Sequence, residues 1–146
     1  MSATYVATFR SAHDEFNRRE FDSLLNRLAS SFTYRDYARG LSFEGREGFR
    51  DFLNGWVTGF SDAQVSEPTY LDAGDVVIAQ FQARGTHDGA LGPLAATGRP
   101  MDLPMCELIR FNNQGEIVSG GLYYDQLSLL GQLGLAQTPS AANTSS

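Results

Sequence analysis

Two long stretches of two-residue alternation constrain this chain more than any other feature. Between Asp75 and His87, the side chains of Val77, Ala79, Phe81, Ala83 and Gly85 share one face, and those of Gln80, Gln82, Arg84 and Thr86 share the other. Between Met101 and Phe111 the odd positions read Met101, Leu103, Met105, Glu107, Ile109 and Phe111. A strand with one apolar face must pair with neighbours and bury that face under a second layer. The pattern therefore predicts a sheet with one covered face. Ala63 to Leu71 and Glu116 to Tyr124 supply further strands, with turn signals at Asp72-Ala73-Gly74-Asp75 and Asn112-Asn113-Gln114-Gly115.

The first part of the chain supplies the cover. Tyr5, Phe9, Ala12 and Phe16 recur at helical spacing and predict an opening helix with one apolar stripe. A short helix follows Phe21-Asp22-Ser23 and carries Leu24, Leu25 and Leu28. A strand fits Phe32 to Ala38, with Phe32, Tyr34 and Asp36 on one face. Gly45-Arg46-Glu47-Gly48 opens another helix, striped by Phe49, Phe52, Leu53, Trp56 and Phe60. Gln126 to Leu133 closes as a short helix. Helices first and then consecutive strands give an α+β class with a mixed or mainly antiparallel sheet. Residues 1–135 read as a single domain, and 136–146, lacking periodicity, as a disordered tail.

Bulk properties exclude several partners. With 146 residues, 42% of them apolar, the chain can bury a sizeable core without staples. A net charge of −6 argues against nucleic acid, whose phosphates demand a basic surface. No apolar run reaches the roughly 20 residues of a membrane span. No secretory leader is visible at the N-terminus, and the expected setting is the cytoplasm. The single Cys106 allows no intrachain disulfide, and the His-Asp pairs at 13–14 and 87–88 do not converge as metal ligands. No phosphate-binding glycine motif or nucleophile elbow occurs, so neither cofactor nor metal is expected.

The candidate chemistry is acid–base. Asp125 stands at the end of the last strand, directly before the closing helix, where it either faces a pocket or caps that helix. His87 ends the first alternating strand; it either meets a substrate or fixes the Gly-rich loop that follows. Glu107 lies in the apolar phase of its strand. It is an inward acid, unless a bulge or pairing with Arg84 or Arg110 turns it away. Tyr34, Trp56, Phe81 and Tyr123 are core aromatics that could also line a pocket. His13, beside Arg10 and Asp14, reads as a solvated residue of the opening helix.

In their order, these elements resemble the nuclear-transport-factor-type cone and, within it, the SnoaL-like polyketide cyclases. The resemblance rests on Gly85-Thr86-His87-Asp88-Gly89, Thr97-Gly98-Arg99-Pro100, the hairpin 111–117 and Asp125-Gln126-Leu127-Ser128-Leu129-Leu130. Tyr34-Arg35-Asp36, Gly45-Arg46-Glu47-Gly48 and Trp56 also fit, and together these span about residues 5–134. It implies a half-barrel of strongly bent sheet, covered by about three N-terminal helices and a short C-terminal one. It also implies a cofactor-free cyclase or isomerase acting on a small apolar carbonyl compound, with Asp125 as general acid/base and His87 or a tyrosine polarising the oxygen. Asp125 would then carry a pKa raised toward neutrality by an apolar pocket. A homodimer through the outer sheet face, near Gln80, Gln82 and Arg84, follows from the same resemblance. Where many relatives carry an acid and a tryptophan in the last strand, Ser119 and Gly121 stand here, which predicts an enlarged cavity or a missing stacking wall. Where characterised cyclases carry a histidine shortly before the hairpin, Arg110 stands. Two alternatives share the fold. One is a binding protein for a small hydrophobic molecule, without turnover. The other is an epoxide-opening hydrolase, which would need Asp125, Glu107 and either Arg84 or Arg110 all pointing inward.

Overall fold

A computed structural model describes residues 2–137. Most of the expected tail, from residue 138 on, lies outside the described residues. The elements run α1 (Ser2–Asn17), α2 (Phe21–Leu25), β1 (Leu28–Asp36), β2 (Leu41–Glu44), α3 (Gly45–Gly59), β3 (Gln64–Asp72), β4 (Val76–Thr86), β5 (Pro100–Phe111), β6 (Ile117–Tyr123) and α4 (Gln126–Gln132).

The strands form a six-stranded sheet in the order β2-β1-β6-β5-β4-β3, which is open at β2 and β3. All neighbours are antiparallel except β1 and β6, which run parallel, so the sheet is mixed. The two alternating stretches become β4 and β5 and pair along their whole lengths, from Val76 opposite Arg110 to Thr86 opposite Pro100. Their apolar phases point the same way because antiparallel partners directly opposite share a face. Val77, Ala79, Phe81, Ala83, Met101, Leu103, Met105, Ile109 and Phe111 are all buried there, under the helices.

Helix α1 packs Tyr5, Phe9 and Ala12 inward, as their spacing requires. Helix α3 buries Phe49, Phe52, Leu53 and Trp56 and stops at Phe60, whose backbone turns extended. Burying each such ring is worth roughly 1.5–3 kcal/mol, and aromatic pairs add about 0.5–1.5 kcal/mol each. The core is rich in aromatic rings: Tyr34 and Phe49 touch each other and both Phe32 and Phe52, at centroid distances of 4.7–6.0 Å.

Two elements depart from the sequence reading. Leu41–Glu44 forms an edge strand against β1, where no strand was expected between Ala38 and Gly45. It is short and mostly exposed, so it carries little hydrophobic pattern. The parallel β1–β6 pairing joins residues about ninety positions apart, and no local signal announces it.

Candidate functional site

The inner sheet face and the helices enclose a cavity of about 100 Å³. Its wall is dominated by Phe9, Phe16, Phe32, Phe49, Phe52 and Phe81, with Trp56 and Tyr34 among them. Glu107 is the acid on that wall among the described residues.

The placement of Glu107 follows directly from strand phase. It sits on β5 between Ala79 of β4 and Leu122 of β6, on the face that also carries Met105 and Ile109. It is 9% exposed. An ionised carboxylate there must be hydrogen-bonded to be tolerated, and it is. The Tyr34 hydroxyl donates to Oε2, and His13 Nε2 lies 2.8 Å from Oε1. On its other side, His13 Nδ1 lies 2.8 Å from the Tyr70 hydroxyl. The result is a buried row, Tyr70–His13–Glu107–Tyr34, drawn from β3, α1, β5 and β1. If His13 carries its proton on Nε2, every partner is matched: Tyr70 donates to Nδ1, Nε2–H donates to Glu107, and Tyr34 donates to the second oxygen. Burial is the main cause that pushes the Tyr34 hydroxyl well above its ordinary pKa, and the Glu107 charge adds to it. Burial likewise pushes Tyr70 up, with Asp14 and Glu107 adding to the rise and Arg10 opposing it. Both hydroxyls therefore remain proton donors at neutral pH.

Gly120 of β6 makes the Tyr34 contact possible. It lies opposite Tyr34 in the sheet, and a Cβ there would meet the ring at 2.9 Å. Ser119 and Gly121, where the resemblance led one to expect larger residues, belong to the other phase of β6. Both line a recess on the outer face, and a Cβ on Gly121 would strike the Tyr37 ring, not the cavity. Their small size therefore neither enlarges the cavity nor strips its wall, contrary to expectation.

Tyr34, Trp56, Phe81 and Glu107 thus meet around one cavity, while Asp125, His87 and Tyr123 do not. Asp125 is exposed and caps α4. Its Oδ1 accepts from Leu127 N–H at 3.1 Å and its Oδ2 from the Ser128 hydroxyl at 2.7 Å. Those bonds, Ser128 first, hold its pKa below the ordinary carboxylate value, opposite to the expected rise. His87 is fully buried but serves the loop that follows it. Its Nδ1 contacts Thr97 Oγ1 at 2.9 Å, its backbone N–H donates to Arg99, and its ring packs on Phe60. Tyr123 falls in the outward phase of β6, since Leu122 takes the inward one, and it stacks on Tyr37 at 4.5 Å. Arg84 pairs with Glu67 and Asp102 on the outer face, and the exposed Arg110 lies on the outer recess. With both arginines and Asp125 away from the cavity, the epoxide-hydrolase arrangement is not present.

His13, read from sequence as solvated, is instead on the cavity wall. It is 7% exposed and packs its ring on Phe9 and Phe81 at 4.4 and 5.2 Å. The signal was available, because His13 stands four residues after Phe9 and so on the same helical stripe. Its charged neighbours Arg10 and Asp14 obscured that position.

The family model of SnoaL-like polyketide cyclases matches residues 7–133 of the chain. No curated protein gives a significant match. Similar solved structures include a candidate polyketide cyclase from Xanthomonas campestris pv. campestris, 22% identical, with a TM-score of 0.80 over 90% of this chain and 97% of that one. A hypothetical protein of ketosteroid isomerase-like fold from Catenulispora acidiphila, in complex with trimethylamine, is 26% identical, with a TM-score of 0.76 over 90% and 97%. IdmH, a candidate polyketide cyclase from Streptomyces antibioticus, is 24% identical, with a TM-score of 0.76 over 89% and 98%.

Proposed function

The chain belongs to the SnoaL-like polyketide cyclase family, and from that premise we propose cofactor-free acid–base chemistry on a small, largely apolar carbonyl compound held in the cavity. Glu107 takes a proton from the carbon beside the carbonyl and returns it to that carbon or to another, which gives isomerisation or ring closure. One observation carries the reading: a carboxylate stands on an otherwise greasy wall, oriented by His13 and Tyr34. His13 and Tyr70 continue the row from Glu107 through α1 to β3. This assignment moves the acid–base role from Asp125 and His87 to Glu107.

The test uses cyclohexanone in deuterated water, followed by NMR. Wild-type protein is expected to exchange the protons beside the carbonyl faster than buffer does, and Glu107→Gln to lower that rate about 10²–10⁴-fold. Equal rates in the two proteins would refute the role of Glu107.

A second reading is binding without turnover. Both oxygens of Glu107 already accept protein hydrogen bonds, as in a purely structural network, and a neighbour of the same fold was solved with a small ligand, trimethylamine. Under it, cyclohexanone raises the melting temperature while exchange stays at the buffer rate.

A homodimer through the outer sheet face belongs to the same proposal. Tyr37 and Tyr123 are 50% and 45% exposed on that face, which supports the idea. Light scattering at the monomer mass of 16.0 kDa would refute it. A cytoplasmic setting is proposed as well, supported by the free Cys106 thiol and tested by cell fractionation. Among the described residues no helix is long and apolar enough to cross a membrane.

A further inference from the structure

Glu107 brings a negative charge to a space whose wall holds no permanent positive one. No arginine lines the cavity, and the chain has no lysine. Arg39 reaches the Trp56 ring at 4.8 Å but does not line the cavity, and its charge is matched by the fully buried Asp36 at 2.8 Å. His13 and Tyr34 serve both Glu107 oxygens, yet in the His13 tautomer that matches every partner of the row neither side chain is charged. The row then keeps a full negative charge. Hydrogen bonds make a buried carboxylate tolerable, and a cation close by makes it favourable. Across an apolar space that attraction is screened far less than in water and needs no direct contact.

The rest of the wall suits one kind of cation. It consists largely of rings, among them Phe16, Phe32, Phe49, Phe52, Phe81 and Trp56, and of aliphatic side chains. A bare ammonium would give up water hydrogen bonds that this wall cannot replace. Its polar groups are few and engaged: Glu107, His13 and Tyr34 bond one another, and Gln64 donates to the Asn17 carbonyl. A methylated ammonium ion spreads its charge over methyl groups, which leave water easily and are attracted to aromatic rings. Size narrows the class further. At about 100 Å³ the cavity has two-thirds of the roughly 150 Å³ that accepts the six carbons of benzene, which leaves room for about four non-hydrogen atoms.

We infer that the cavity is a site for a small methylated ammonium ion of about four non-hydrogen atoms, trimethylammonium being the type, with Glu107 as its counter-ion. This uses the same cavity as the two functional readings, but it needs Glu107 to be charged and not to be reactive.

Trimethylammonium and acetone have equal numbers of non-hydrogen atoms and differ in charge. Each is added to the protein in about 0.15 M salt, which screens attraction to the acidic surface, and is observed by NMR. Saturating the aromatic protons of the protein is expected to transfer to the trimethylammonium methyls, whose resonance moves upfield as it does over ring faces. Acetone is expected to bind at least about tenfold more weakly. Glu107→Gln, which keeps the shape and removes the charge, is expected to weaken trimethylammonium about tenfold or more and to leave acetone unchanged. No transfer to trimethylammonium, or acetone binding as tightly, overturns the inference, and neither readout needs a variant to fold. Wild-type affinity for trimethylammonium in Glu107→Gln overturns it as well. Ketone exchange on the same samples separates the proposals. Exchange that is lost in Glu107→Gln, without ammonium binding, removes the cation site and leaves the base standing. Ammonium binding without exchange removes the base and leaves the cation site.

Discussion

Glu107 and Asp125 are two carboxylates on one chain with opposite surroundings. Glu107 faces aromatic rings, receives hydrogen bonds from two side chains, and stands where a small molecule could reach it. Asp125 faces water, receives its hydrogen bonds from the helix it caps, and is stabilised in its charged form. A residue's place in the chain, next to a motif, does not decide whether an acid is reactive. The side of the sheet it falls on does, and strand phase sets that side. In β5 the phase of Glu107 is locked by eleven paired positions against β4. After β6 the chain leaves the sheet at Tyr124, and Asp125 follows the needs of α4.

The comparison breaks first at the two acids themselves. Glu107→Gln should cut exchange by orders of magnitude, while Asp125→Asn should leave exchange unchanged and only weaken the start of α4, read as a slightly lower melting temperature. The next effect is at Gly120. Gly120→Ala should drive the Tyr34 ring off its site, costing about 1–3 kcal/mol in denaturant unfolding and loosening one of the two bonds that orient Glu107. Removing the helix-borne partner by His13→Ala should cost a similar 1–3 kcal/mol, because the buried Glu107 and Tyr70 lose a partner.

Smaller effects lie in the pH profile, and the two regions differ in sign. Asp125 has a lowered folded-state pKa, so its contribution is present above the unfolded value of about 3.9 and is lost as pH falls through the folded value. Asp125→Asn should flatten that acid limb. Tyr34 has a raised folded-state pKa, so its stability is complete below the unfolded value of about 10 and is lost as pH rises beyond it. Tyr34→Phe should make the alkaline limb shallower in urea unfolding measured across that range.

The sequence was most legible where pattern and burial coincide. Alternation identified the inner faces of β4 and β5, and so the inward direction of Glu107 and Phe81. Helical spacing identified the stripe that brings Trp56 inward. Asp125 was legible as a helix cap from its position, but the family resemblance pulled it toward catalysis. His13 stood on the apolar stripe yet carries polar neighbours, so spacing and composition disagreed and spacing was right. The contact between Tyr70 and His13 joins β3 to α1 across 57 positions, and no local rule encodes it. Nor could it be read from sequence that the buried indole N–H of Trp56 has no hydrogen-bond partner among the described residues.

The most direct measurement is ketone proton exchange by NMR, with wild type, Glu107→Gln and Asp125→Asn side by side. Fast exchange in the wild type and Asp125→Asn, with near-buffer rates in Glu107→Gln, is the expected result. Loss of exchange in Asp125→Asn with Glu107→Gln fully active would contradict the placement of the chemistry inside the cavity.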